Sequence, residues 1–146
     1  MRKRLSLLLG LCAALAGCGS SDMAAMPIQG SDYSLTLVRE KPYLWSAGWD
    51  LALVVARMPD CMRRHHLQHA GDGNFAMEVY RAGDNGWVLH QGKRWYVADA
   101  ASCELQQFDA RPAAPGTLAG TFRAENGAVL SFVAAPPAKA EAEAAE

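Results

Sequence analysis

Two Ala-Gly-Asp triplets, Ala70-Gly71-Asp72 and Ala82-Gly83-Asp84, stand twelve residues apart, and each precedes a short apolar, aromatic-rich run. The runs are FAMEVYR and WVLHQ. Turn residues at this spacing leave room for strands joined by tight connections, but not for helices of ordinary length. Asp72 and Asp84 lack the ligand spacing of a calcium loop and are accounted for by turn chemistry. The stretch WVLHQGKRWYV reads as a hairpin. With Gln91-Gly92 as its loop, Trp87 lies opposite Tyr96 and Val88 opposite Trp95. Further on, Asn126-Gly127 within TLAGTFRAENGAVLSFV is the strongest short hairpin signal in the chain. A two-residue loop there sets Ala124 opposite Val129 and Phe122 opposite Ser131.

Upstream, Tyr33, Leu35 and Leu37 alternate with Ser34 and Thr36, the period of a half-buried strand. YLWSAGWDLALVVAR also fits helical spacing at Leu51, Val54, Val55 and Met58, but its paired valines and Gly48 favour a strand. CELQQF, opened by Cys103, is one more short run. The expected architecture is mainly β, an antiparallel sandwich or small barrel of about seven or eight short strands over residues 32–134. Alternation fails only over residues 59–70, which include PDCMRRHHLQH. A short helix is expected near residues 60–69, with Pro59 and Asp60 at its first turn. On such a helix Cys61, His65 and His69 fall at i, i+4 and i+8, roughly one face. His65 and His69, with His66 or His90, are therefore candidate ligands for zinc or copper. The alternative is a basic, solvent-facing segment in which no metal takes part.

The chain begins MRKRLSLLLGLCAALAGC: three basic residues, an apolar run from Leu5 to Ala16, then Gly17-Cys18. Twelve apolar residues are too few for a spanning helix, which needs about twenty, and the arrangement is that of a secretory signal. Leu15-Ala16-Gly17-Cys18 resembles the lipobox of bacterial lipoproteins. The resemblance covers the first eighteen residues and implies cleavage before Cys18 and acylation of that cysteine, palmitate included. It also implies anchoring in the outer membrane, facing the periplasm, because Gly19 stands where inner-membrane retention uses aspartate. Removal of Arg2, Lys3 and Arg4 with the signal leaves 11 basic against 15 acidic side chains, a balance of -4. A domain of that charge is not expected to bind nucleic acid or to hold an anionic surface through a polybasic patch.

Four cysteines are present, of which Cys12 leaves with the signal and Cys18 takes the lipid. Cys61 and Cys103 remain in an oxidising compartment, and two cysteines allow one intramolecular pairing. Residues 18–31, small, polar and unpatterned, are expected to be the lipidated cysteine and a flexible tether. Residues 135–146, rich in Ala, Pro and Glu, are expected to be a disordered tail.

The sequence contains no GxSxG elbow, Walker loop, HExxH pair or dinucleotide fingerprint. The expected function is accordingly non-catalytic: binding or scaffolding a protein of the cell envelope. Arg63 and Arg64 are candidate partner contacts, since guanidinium pairs with carboxylate or phosphate. The hairpin carries apolar residues on both faces, Trp87, Leu89 and Tyr96 on one and Val88, Trp95 and Val97 on the other. Either it lies between two layers, or one face, with Trp87 and Tyr96 as candidates, meets a partner. Inhibition of a cell-wall hydrolase is a further expectation, by analogy of architecture alone.

Overall fold

The computed structural model describes residues 19–136. Ten strands run in chain order: β1 (Ser20–Gln29), β2 (Tyr33–Lys41), β3 (Asp50–Arg57), β4 (Cys61–His66), β5 (Phe75–Ala82), β6 (Gly86–Gln91), β7 (Arg94–Asp99), β8 (Glu104–Phe108), β9 (Thr117–Ala124) and β10 (Ser131–Ala134). They form two antiparallel sheets, a four-stranded one ordered β1-β2-β3-β4 and a six-stranded one ordered β10-β9-β5-β6-β7-β8. None of the described residues is helical. The mainly β expectation holds, as a sandwich with two or three strands more than counted from sequence.

Period-two patterning explains the layers. Leu35 and Leu37 on β2, and Leu51, Leu53 and Val55 on β3, face inward from the smaller sheet and are almost wholly buried. Met77 and Val79 on β5, Leu89 on β6, Tyr96 on β7 and Phe122 on β9 meet them from the larger sheet in one hydrophobic cluster. At about 1.5–3 kcal/mol for each large apolar side chain taken from water, this interleaved layer is the main source of stability.

The tether expected over residues 18–31 is instead largely strand, since β1 pairs with β2 from Ser20↔Lys41 to Gln29↔Tyr33. Ala24 and Met26 point into the core, and Ile28 packs against it. Met23, Ala25 and Pro27 alternate with them on the other face, so apolar residues occupy both faces and no polar contrast marks the strand. Pro27 is tolerated because β1 is an edge of its sheet and needs no second set of amide donors. Cys18 and the signal lie outside the described residues, as do residues 137–146 of the expected tail.

The helix expected near residues 60–69 is also replaced by a strand, β4, whose Leu53↔His65 and Val55↔Arg63 pairings put Cys61, Arg63 and His65 on the inner side. Both faces of this edge strand are polar, so alternation is invisible in its sequence.

Each hairpin settles into the register that its turn permits. Gly92 has φ +59°, and Cys103 is the only non-glycine residue with positive φ among those described. A loop of Gln91-Gly92 needs positive φ at Gln91, whereas Gly92-Lys93 puts glycine first, as a II′ turn requires. The observed pairs are accordingly Trp87↔Ala98, Val88↔Val97, Leu89↔Tyr96 and His90↔Trp95. This differs from the expected register by two residues, so every side chain keeps its expected face. At the second hairpin Gly127 has φ +79° while Asn126 does not have positive φ. That is the type II pattern, not I′. The ladder resumes only at Arg123↔Ser131, and Phe122 faces Phe132, not Ser131. The odd shift brings those two rings to 4.9 Å.

Candidate binding surface

PDCMRRHHLQH lies along the edge where β4 of one sheet approaches β8 of the other. Cys61 is disulfide-bonded to Cys103, with Cα atoms 6.1 Å apart. Around that link Arg63 pairs with Glu104, and His65 Nε2 lies 2.7 Å from the Cys103 carbonyl oxygen. Arg64 reaches Glu40 at 3.0 Å. The two arginines proposed as partner contacts are thus each matched by a carboxylate of the same domain, and Arg63 helps close the sandwich. His69 is engaged at both ring nitrogens, Nδ1 at 3.1 Å from Asp50 Oδ1 and Nε2 at 2.6 Å from the Ala47 carbonyl oxygen. A metal ion on His69 would have to displace one of these two contacts. Among the described residues no group of three or more His, Cys, Asp or Glu side chains is arranged to hold one.

Trp87 and Tyr96, the aromatic candidates for partner contact, are core residues, 4% and 1% exposed. The Tyr96 hydroxyl accepts a hydrogen bond from the Gln68 backbone N–H at 3.2 Å, tying the larger sheet to the segment after β4. The inner face of the hairpin is therefore unavailable to any partner.

The outer face of the six-stranded sheet is available in part. Register places Phe108, Trp95, His90, Glu78, Thr121 and Val133 in one row across five strand pairings. Beside it run Leu118, Tyr80, Val88 and Val97. The connection 109–116 must travel from β8 at one edge to β9 beyond β5, and it crosses this face. Arg111 stands 5.7 Å from the centre of the Trp95 ring. That crossing answers the question raised by the two-faced hairpin: Val88 and Trp95 are buried beneath the protein's own chain. The cover is incomplete, since Phe108, Leu118 and Val133 remain 42%, 45% and 44% exposed. Between sheet and connection, Val97, Phe108, Asp109, Ala110, Arg111 and Pro112 line a mainly apolar cleft of about 410 Å³.

A polar network links the strands of this face. The Tyr80 hydroxyl donates to Glu78 Oε2 at 2.8 Å, and His90 Nδ1 lies 3.1 Å from the same oxygen. His90 Nε2 lies 2.9 Å from the Gly92 carbonyl, and its ring stacks on Trp95 with centroids 3.9 Å apart. Hydrogen bonds from His90 and then Tyr80 hold the Glu78 carboxyl below its ordinary range, against the opposing effect of burial. Burial, reinforced by the bond to the Glu78 carboxylate, pushes the Tyr80 hydroxyl up. Sequence reasoning missed this surface because its residues come from six strands and a connection. The only signal for it was the apolar second face of the Trp87–Val97 hairpin.

A third polar cluster closes the opposite seam, between β1 and β10. Arg39 is the one buried charged side chain among the described residues, 5% exposed. Its Nη2 donates to Asp22 Oδ2 at 2.7 Å and also to the Ala128 carbonyl. Its guanidinium lies 4.3 Å from the Trp49 ring centre. The Leu130 N–H donates to the same Asp22 oxygen at 3.0 Å. A buried charge requires such full pairing, and the cluster is fully occupied in fastening strands β1 and β2 to the 125–130 turn.

Together these features define the class: an antiparallel β-sandwich whose two open seams are fastened, one by a disulfide and the other by a buried ion pair. No family model matches the chain, and no curated protein or solved structure matches it.

Proposed function

We propose that the protein is a lipid-anchored envelope protein, held in the outer membrane through Cys18 and facing the periplasm. Its work is non-catalytic binding of an envelope protein through the outer face of the six-stranded sheet. The observation that carries this reading is the cleft between Val97, Phe108 and the 109–116 connection. It is an apolar recess rimmed by the partly exposed Phe108, on a sheet face that also leaves Leu118 partly exposed and that has its own core on the other side. Apolar recesses flanked by a few fixed polar groups suit the insertion of a partner's apolar side chain. Asp109 and Arg111 supply the polar flank. The disulfide supports the exported address, since such bonds persist in oxidising compartments. Arg63, Arg64, His65 and His69, the side chains of residues 61–69 that first suggested chemistry, are each engaged by other groups of the domain, which supports a binding over a catalytic or metal-dependent role.

The test has two parts. Intact mass of the membrane-fraction protein is expected to show acyl chains on a chain beginning at Cys18. Val97→Asp, which places a carboxylate in the cleft, is expected to abolish co-purification of the partner crosslinked in cells, while Arg64→Ala preserves it. Equal recovery of that partner with both variants would refute the assignment of this face.

A further inference from the structure

Three large apolar side chains are displayed together at the tip of the β2–β3 connection. Tyr43, Leu44 and Trp45 are 53%, 68% and 76% exposed. They are not on a slack loop. The Ser46 N–H donates to the Tyr43 carbonyl at 3.0 Å, and the Tyr43 N–H donates back to Ser46 Oγ at 3.2 Å. The Tyr43 and Trp45 rings stack with centroids 5.2 Å apart and planes 8° apart. The base of the loop is clamped. Trp49 and Ala70 exchange backbone hydrogen bonds of 2.7 and 2.9 Å, and His69 Nε2 lies 2.6 Å from the Ala47 carbonyl oxygen. Gly48, at φ +76°, turns the chain where a side chain would strike the Ala70 carbonyl and the His69 ring. A turn this well fixed, whose three apolar side chains are left more than half exposed by the described residues, is built to present its tip.

Where the tip sits says what it meets. Gly19 lies against the same connection: a Cβ added there would come within 2.9 Å of the Lys41 and Pro42 carbonyl oxygens. The next residue toward the N-terminus is Cys18, one peptide unit away. The acyl chains proposed for Cys18 therefore enter the bilayer beside Tyr43, Leu44 and Trp45. Tyrosine and tryptophan favour the headgroup level of a membrane, where an apolar ring and a polar handle are both satisfied.

The geometry points to the Tyr43–Ser46 turn as a second membrane contact, an interfacial foot that inserts Leu44 and Trp45 beside the acyl anchor and fixes the orientation of the domain. This rests on acylation at Cys18, but adds a contact that acylation does not require. It also gives His69 a role, as the clamp behind the foot.

The full-length protein is produced in a host that acylates lipobox cysteines, purified, and reconstituted in phosphatidylethanolamine–phosphatidylglycerol vesicles with and without brominated acyl chains. Brominated chains are expected to quench a blue-shifted component of the tryptophan emission. That component is expected to be lost in Trp45→Phe and strongly reduced in Leu44→Asp, both with acyl mass and disulfide unchanged. Acylated protein whose emission is the same in both vesicles would overturn the foot and leave the anchor standing. Absence of acyl mass on Cys18 would overturn the anchor and the foot's placement with it. Unquenched protein that sediments as a dimer, reverting to monomer in Leu44→Asp, would assign the tip to a second copy of the chain and overturn the membrane contact.

Discussion

Removing the Cys61–Cys103 bond tests the closure of the sandwich. The two residues are separated by 42 positions. They join β4, the edge of one sheet, to the start of β8, the edge of the other. Cutting the link gives the unfolded chain back the freedom of a loop of that length, worth about 4 kcal/mol at 25 °C by the chain-entropy relation. The remaining contacts of the seam are weak. Arg63 and Glu104 are both more than half exposed, and an exposed pair contributes about 0–1 kcal/mol. They cannot replace the covalent link. In a domain of this size about 4 kcal/mol corresponds to a fall of roughly 15 °C in Tm. Cys61→Ala, Cys103→Ala and the double variant are therefore each expected to lose a similar amount in urea melts, because either substitution removes the whole bond. The Cys103→Ala loss is expected to be somewhat larger, since Cys103 is fully buried. The reduced wild-type protein is expected to melt near the double variant. A loss below about 1 kcal/mol in the double variant would show that non-covalent contacts close the seam unaided, contrary to this reasoning.

Three further outcomes follow from the same geometry. Burial alone would raise the Asp22 carboxyl, but hydrogen bonds from Arg39 and Leu130 and the Arg39 charge together hold it below its ordinary 3.8. Its stabilising contribution is thus complete above that value and is lost as pH falls through the lower folded one, so Asp22→Asn is expected to flatten the acid limb of a urea-midpoint series below about pH 4; a limb as steep as wild type's would contradict the pairing. Tyr96→Phe removes the acceptor of the Gln68 N–H and is expected to cost about 1–2 kcal/mol, read by chemical denaturation. An unchanged midpoint would show that this bond contributes nothing. Phe108→Ser is expected to shift stability by less than about 1 kcal/mol, because the ring is partly exposed, while weakening partner capture at least tenfold; capture at wild-type level would place the interface elsewhere.

Much of the fold was legible from strand alternation and from turn residues. The Tyr33–Leu37 alternation and the hairpin faces emerged directly, and the hairpin error of two residues left every side chain on its correct side. What was hidden was hidden for identifiable reasons. β1 carries apolar residues on both faces, and β4 carries polar ones on both, so neither shows a period. The II′ turn at Gly92-Lys93 and the type II turn at Asn126-Gly127 depend on which residue takes positive φ, which a two-residue motif does not specify. Cysteine arithmetic reached the disulfide because only one pairing remained. The candidate surface was barely legible: Glu78, His90, Trp95 and Arg111 are brought together by sheet pairing and by the crossing of 109–116, which leave no spacing rule in the sequence. Trp87 and Tyr96 were read as partner contacts because aromatic residues on both faces of a hairpin do not reveal which face the second sheet covers.

The central claim, an anchored domain that binds through the outer face of its larger sheet, is tested most directly by site-specific photo-crosslinking in intact cells. Probes placed at Phe108 and Leu118 are compared with a probe at Met62, which is exposed on the other sheet. The account predicts one discrete adduct of the same mass from positions 108 and 118, absent at 62 and lost when Val97→Asp is added. The same adduct from position 62, or its survival in the Val97→Asp background, would contradict it.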